Sequence, residues 1–566
     1  MHNPYEDILP PERVKIGRPA AWILSVLFLV AIVLPPLLRN VSTASEKDGS
    51  GWVPVVEFAK AVRPTAPTDK GIAERLREFE TKLEQNAEFA RALRRGTQSQ
   101  LTGIFHEGNN RTVIGRDGWL YFRPALQALT GYGPITAEPS SVAKDPSRSS
   151  WKPALGAITR FAEQLHERGI ELVLVPAPVK PMIYPENLTD NAAQTSPVRH
   201  RDSDAFFAAL RSKGIAIIDV ADMLWQMKET DAADGAVFLK QDTHWRPRGM
   251  LAAVEAVAEH LKSRPWEQEL PTAAVEFTTE TVTARHIGDL VEKLDLPDGS
   301  RIFEEEEATL TRVLDKAAGE AITSDAASPV VVLGDSFVNV FNDPSLGFAL
   351  ENAGDDGSAP MVTGAGFAQH LAMKLGRQID VIAINGEASS GVREQFARRY
   401  DDEVRAKKAV IWVIAARDLF LSETPGKGLV RWDDVTFNTS LRPEQPAGGN
   451  VDDREFTVRG TVALKSAIPN PQDSSYKDAL YVIELGTPEI VTGKLPASVQ
   501  PGDTLYIRLW AFKNRSYSKT SNLQEGEQVT LRLSSWDSKP ELHTTRIEDD
   551  TLLFDPVPWW FGELAE

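Results

Sequence analysis

The 566-residue chain contains no cysteine, which removes disulfide staples, thiolate-zinc sites and cysteine nucleophiles together. It also lacks a basic excess. A formal net charge of −18 disfavours general nucleic-acid binding, which needs a positive face. Histidine is scarce, at nine positions, so each one near an acid carries weight. There is no internal repeat and no G-x-S-x-G elbow, so the α/β-hydrolase pattern is not indicated. No nucleotide-binding signature is visible, and no cofactor is expected. What remains is a globular composition, 42% hydrophobic and 25% charged, long enough for several domains.

The N-terminal region divides by composition. Residues 1–18 carry Arg13, Lys15 and Arg18, ahead of "PAAWILSVLFLVAIVLPPLL" at 19–38. That uncharged apolar run is long enough to cross a bilayer. The flanking cations place residues 1–18 in the cytoplasm and the body outside it. The run is read as an uncleaved anchor; a cleaved signal peptide is the alternative. Residues 39–105 form a linker and a helical stalk, with apolar residues at helical spacing over about 70–96.

From 106 to 425, apolar strand-like runs alternate with helix-like segments. The strands are "ELVLVP" (171–176), "IAIIDV" (215–220), "PVVVLG" (329–334), "IDVIAI" (379–384) and "AVIWVI" (409–414). The helices lie near 153–168, 203–213, 248–262, 366–376 and 392–406. Unbroken β-branched strands imply a sheet buried on both faces, hence a doubly wound α/β domain. Its chemistry belongs at the carboxyl ends of the strands. "FEEEE" at 303–307 reads as a solvated face. After the break "RPEQPAGGN" (442–450), short alternating runs over 445–566 suggest an all-β sandwich.

Two stretches carry most of the chemical information. In "VVVLGDSFVNVF" (330–341) a buried strand runs into Gly334, Asp335 and Ser336. A serine there sits at the start of a helix, where its own N–H can face an oxyanion. A plain helix cap is the alternative. In "FLKQDTHWRPRG" (238–249) Asp242 and His244 share one loop before Pro247 opens a helix. They are read as part of a metal site, a structural turn, or the acid and base of a catalytic pair.

Together with "NNRTVIGRDGWLYF" (109–122), "LVLVPAPVKPMIYPENL" (172–188) and "GAGFAQHLAMKLGRQIDVIAINGEAS" (364–389), "DTHW" and "GDSF" resemble the AlgJ/AlgX family of bacterial exopolysaccharide O-acetyltransferases. That family is SGNH-hydrolase-like, with the acid–histidine block placed before the serine block. The resemblance implies Ser336 as nucleophile, His244 as general base and Asp242 as its orienter. It implies an oxyanion hole from the Ser336 N–H, a glycine (Gly364 or Gly366) and Asn385. "INGEAS" departs from the usual Gly-x-Asn-Asp pattern around that asparagine. Lys180, Tyr184, Trp245 and Arg417 are candidates for lining an acceptor groove.

The C-terminal module occupies the place of the carbohydrate-binding module in the AlgX-like branch, and Trp559 and Trp560 are its expected exposed sugar-stacking residues. The resemblance further implies transfer of acetyl through a serine acyl-enzyme to a secreted polysaccharide. The implied donor partner is a membrane-bound O-acyltransferase, and the implied location is the outer face of the bacterial inner membrane. A carbohydrate acetyl esterase and a non-catalytic polysaccharide scaffold are the competing classes.

Overall fold

The computed structural model describes residues 88–131, 133–135, 154–189, 194–270, 275–348, 363–421, 428–441, 455–468, 476–493, 503–549 and 559–565, with isolated positions besides. The proposed anchor at 19–38 lies outside these. Among the described residues no helix is long and apolar enough to cross a membrane. The chain divides into two compact units, one of residues 1–101 with 296–299, the other of 102–295 with 300–566. The second unit carries the site. Of the helical stretch expected over 70–96, the described helix is Glu88–Phe105.

The second unit opens with a hairpin, β1 (Thr112–Ile114) and β2 (Leu120–Phe122). The strands that follow are β3 (Glu171–Ala177), β4 (Ala216–Ile217), β5 (Phe277–His286), β6 (Glu306–Asp315), β7 (Val330–Gly334), β8 (Asp380–Ala383) and β9 (Ala409–Ala415). The helices used below are α1 (Ala154–His166), α2 (Ser203–Ser212), α3 (Pro247–Lys262), α4 (Asp289–Lys293), α5 (Ser336–Asn339) and α6 (Phe367–Leu375). Five strands form one sheet in the order β4-β3-β9-β7-β8, every pair parallel. The expected doubly wound sheet is thus present.

Burial explains why these runs are strands. Every residue of β7 and β9 is buried, so neither face can carry a polar alternation. Helix α1 turns Ala157, Ile158, Phe161 and Leu165 inward, and Phe161 meets Trp412 of β9 edge-on at 5.7 Å. Truncating such a phenylalanine would cost about 3–5 kcal/mol. Helix α3 begins on Pro247, whose missing N–H needs no partner in a first turn. It buries Met250, Val254, Val257 and Leu261 and packs on α6. At the amino ends of the strands, Lys407 Nζ meets Asp380 Oδ2 at 2.6 Å, with Arg399 on the same carboxylate. This buried ion cluster lies at the end of the sheet opposite to Ser336.

The hairpin β5–β6 was not legible in advance. Glu306 begins β6 with both carboxylate oxygens turned onto the 238–249 loop, accepting from the N–H groups of Lys240 (3.0 Å) and Gln241 (3.1 Å). It also pairs with Arg246 at 2.7 Å. "FEEEE" is therefore not uniformly a solvated face.

The C-terminal module is a closed barrel rather than a sandwich. Its strands are β10 (Phe456–Lys465), β11 (Ala479–Thr492), β12 (Leu505–Lys513), β13 (Gln528–Ser535) and β14 (Trp559–Leu564). The ring runs β10-β11-β12-β14-β13 and back to β10, with β12–β14 its one parallel pair. That order and that parallel pair are those of the OB-type Greek-key barrel. The expectation failed at "WWFGEL": the run read as an exposed aromatic tail is the closing strand. Trp560 lies inside, edge-on to Phe456 at 4.9 Å, and Trp559 is half-buried. Closure gives every edge a partner, which an open sandwich does not.

Candidate active site

Ser336 lies where β7, an interior strand of the sheet, stops. Asp335 caps α5, its Oδ1 accepting from the Phe337 N–H at 2.9 Å. The Ser336 N–H therefore falls in the first turn, where no intrahelical acceptor exists. Burial raises the Asp335 carboxyl above its ordinary range, an effect that Arg417 opposes.

The loop carrying Asp242 and His244 is a tight reversal closed by the Phe238–Trp245 bridge, with the Leu239 N–H donating to His244 O at 3.2 Å. Asp242 Oδ1 meets His244 Nδ1 at 2.6 Å and accepts from the His244 N–H at 3.0 Å. His244 Nε2 lies 2.8 Å from Ser336 Oγ. All three side chains are buried. Trp245 locks the two loops together: its Nε1–H donates to Phe337 O at 3.1 Å, and its ring meets Phe337 edge-on.

A second carboxylate supports the first. The Asp289 N–H donates to Asp242 Oδ2 at 2.8 Å. The Asp289 side chain accepts from the Thr243 N–H (2.6 Å), the Thr243 hydroxyl (2.8 Å) and Lys293 Nζ (2.6 Å). Burial alone would raise the Asp289 pKa; Lys293, His244 and these hydrogen bonds overcome it and hold the group well below the usual carboxylate range. Gly288 makes the approach possible. It adopts φ 86°, and a Cβ there would lie 2.3 Å from Gln241 O. Among the described residues, Asp242, His244 and Asp289 also form the one group able to present three metal-ligand atoms together. Each of those side chains is already engaged by the hydrogen bonds above.

The other expected site residues are placed elsewhere. The Gly364 N–H donates to Asn342 Oδ1 at 2.8 Å, and Gly366 caps α6. Asn385 is buried with its Oδ1 accepting from Asn339 (3.0 Å) and its amide donating to Asp343 (2.7 Å). None of the three lines the cavity over Ser336. Lys180 is buried, donating to Leu120 O and Lys240 O at 2.7 Å each. Tyr184 is buried, its hydroxyl donating to Asp231 at 2.7 Å. Trp245 is wholly buried. These three brace the loops instead of facing a ligand. Arg417 does line the cavity, its guanidinium over the rings of Phe122 and Phe337 at 5.4 and 5.9 Å. Its Nη1 is buried and has no hydrogen-bond partner among the described residues. Trp559 and Trp560 are in the barrel wall and interior.

The cavity holds about 410 Å3 and is walled by two domains. The sheet side supplies His244, Ser336, Lys293 and Arg417; the barrel supplies Tyr476, Lys477 and Arg546. The Tyr476 side chain lies beside Ser336 in this cavity. Tyr476 sits in the β10–β11 loop, which had no feature marking it as part of a site. Asp289 was likewise missed, although Asp289 and Lys293 stand four apart on one helix face.

Residues 112–416 match the family model described as the SGNH hydrolase-like domain of acetyltransferase AlgX. The probable alginate O-acetylase AlgJ of Pseudomonas aeruginosa is 33% identical over 201 residues, 34% of this chain and 43% of the relative. The protein of the same name from Pseudomonas syringae is 29% identical over 287 residues, 48% of this chain and 67% of the relative. The chain thus spans less than half the length of the first of these. Among solved structures, the O-acetyltransferase domain of Pseudomonas putida AlgJ is 21% identical with a TM-score of 0.39, covering 54% of this chain and 91% of that one. Pseudomonas aeruginosa AlgX is 17% identical, also with a TM-score of 0.39, covering 75% and 91%. The family match runs through more than half of the 566 residues and takes in the loops of Asp242, His244 and Ser336, so the chain belongs to the AlgX-type SGNH hydrolase-like acetyltransferase domain family.

Proposed function

We propose that this chain is an O-acetyltransferase that moves acetyl groups through a serine ester to hydroxyls of a secreted bacterial polysaccharide. The observation that carries the reading is the hydrogen-bonded line Asp242–His244–Ser336, opening on a cavity between two domains. Ser336 Oγ attacks the carbonyl carbon of an acetyl donor while its proton passes to His244 Nε2. Asp242 fixes the imidazole with Nδ1 protonated and stabilises the imidazolium. The leaving oxygen takes the proton back, which leaves acetyl-Ser336. A sugar hydroxyl then attacks that ester, giving its proton to His244; the Oγ–C bond breaks and Oγ takes that proton, which regenerates Ser336 and releases the acetylated sugar.

Arg417 is suited to an acceptor's carboxylate, because its buried Nη1 gains a charge-assisted hydrogen bond from an anionic ligand. The barrel's share of the wall would hold the polymer, the use to which barrels of this type put their inter-strand loops. The apolar run at 19–38 would anchor the chain in the inner membrane with its body in the periplasm. A membrane-bound O-acyltransferase would present the acetyl group there.

The test is acetyl transfer from an aryl acetate to oligosaccharides, comparing wild type with Ser336→Ala. Acetylated sugar made by wild type alone supports transfer. Acetate release indifferent to acceptor identifies an esterase. Equal glycan binding by two inert proteins overturns the catalytic reading.

A further inference from the structure

The asparagine and glycine expected to complete an oxyanion hole are committed elsewhere, yet the serine has a second polar neighbour besides His244. We propose that Tyr476, carried by the β10–β11 loop of the barrel, is a catalytic residue whose hydroxyl donates to the oxyanion formed when Ser336 Oγ adds to an acetyl ester. The barrel then completes the active site in cis. This rests on reading Ser336 as the nucleophile.

The position of the hydroxyl is fixed from both domains. The Tyr476 N–H donates to Ser474 Oγ at 3.1 Å. Ser474 O accepts from Arg111 beside the β1–β2 hairpin at 2.9 Å and from Arg515 of the barrel at 2.8 Å. Next in sequence, Lys477 pairs with Glu292 of α4, and its carbonyl accepts from the Arg515 N–H at 2.8 Å. The ring lies against Gly386, which adopts φ 76°; a Cβ there would sit 2.5 Å from Tyr476 Cε2. The β13–β14 loop closes the other side. Arg546 donates to Gly386 O at 3.1 Å and pairs with Glu387, while Thr544 O accepts from the Asn385 N–H at 3.3 Å. These are the two loops with which OB-type barrels commonly hold oligosaccharides and oligonucleotides. Here both are turned onto the catalytic cavity.

The chemistry fits a donor. Ser336 Oγ gives its proton towards His244 Nε2 at 2.8 Å, which leaves the Tyr476 proton free for a new acceptor in the cavity. Burial, with Asp335 adding to it, raises the phenol pKa well above the ordinary range, so the proton stays on across working pH. On attack the Oγ–C bond forms, the carbonyl π pair moves to its oxygen, and the Oγ proton goes to His244. The oxyanion and Oγ then share one carbon, so a hydroxyl lining the cavity beside Ser336 faces the oxyanion as it forms. Collapse breaks the bond to the leaving oxygen, which takes the proton from His244. A donor pre-positioned in a water-poor site stabilises the transition state more than the ground state.

The experiment uses the full chain, 4-nitrophenyl acetate as donor, and rates expressed per active serine counted by end-point labelling with a sulfonyl fluoride. Unfolded protein then lowers the count and leaves the rate constant alone. Tyr476→Phe is expected to lower kcat by about 10²- to 10³-fold with KM nearly unchanged. Its affinity for methylboronic acid, which mimics the tetrahedral species, is expected to fall by a similar factor. A Tyr476→Phe variant as fast as wild type, or faster, overturns the inference and makes the tyrosine a plug. An equal fall in kcat with unchanged boronate affinity also overturns it. If Ser336→Ala, compared per mole of total chain, turns over as fast as wild type, the failure lies with the nucleophile and not with Tyr476.

Discussion

The Asp289 N–H donates to Asp242 Oδ2 at 2.8 Å, while Asp242 Oδ1 faces His244 Nδ1 at 2.6 Å. The acid behind the histidine therefore has both oxygens held, and its orientation is set before any substrate arrives.

Replacing that acid by its amide should keep the shape and spoil the tautomer. In Asp242→Asn the amide can donate to Nδ1, which moves the imidazole proton to Nε2 and leaves Ser336 without a base. We expect kcat for aryl acetate turnover to fall by about 10⁴-fold with the thermal midpoint little changed. Steady-state kinetics beside a melting curve checks this.

Asp289 should act mainly through stability. Its folded pKa is depressed, so its contribution is fully present above the unfolded value of about 3.9 and is lost as pH falls below it. Asp289→Asn removes that contribution and leaves the buried Lys293 charge poorly paired. Urea midpoints from pH 7 to pH 3 should show wild type losing its advantage over the variant as the solution is acidified. A constant gap across that range would contradict this assignment.

The ion cluster at the amino ends of the strands should separate stability from catalysis. Asp380→Ala leaves Lys407 buried without its carboxylate, at a cost of about 3–5 kcal/mol. Chemical denaturation reads the loss. The rate per labelled serine should stay at the wild-type value, because the cluster lies at the far end of the sheet.

Trp560 offers the sharpest contrast between an exposed and a closing aromatic. Inside the barrel, Trp560→Ala should destabilise the protein by about 3–5 kcal/mol, read by denaturation. A sugar-stacking tryptophan on the surface would instead change glycan affinity and leave stability alone.

Sequence by itself determined the parallel sheet, because "VVVLG" and "AVIWVIA" have no polar alternation and can only be buried on both sides. It also marked the candidate reactive positions, since Gly334-Asp335-Ser336 ends a buried strand and Asp242 and His244 share one short loop. Their spacing of 92 residues along the chain said nothing of the 2.8 Å between His244 and Ser336. That distance is set by Trp245 reaching Phe337 O, a contact across the fold.

The oxyanion residues were misplaced for a related reason. A local motif cannot report that Asn342, Asn339 and Asp343 have already engaged Gly364 and Asn385. Barrel closure was equally hidden, because a six-residue aromatic strand shows no periodicity that separates it from a tail. Only tertiary structure brings Tyr476 of one domain into the cavity that Ser336 of another lines. The reason is physical: strand and helix preferences act over a few residues, whereas a catalytic cavity is made where buried surfaces from distant segments meet and their remaining polar groups must find partners.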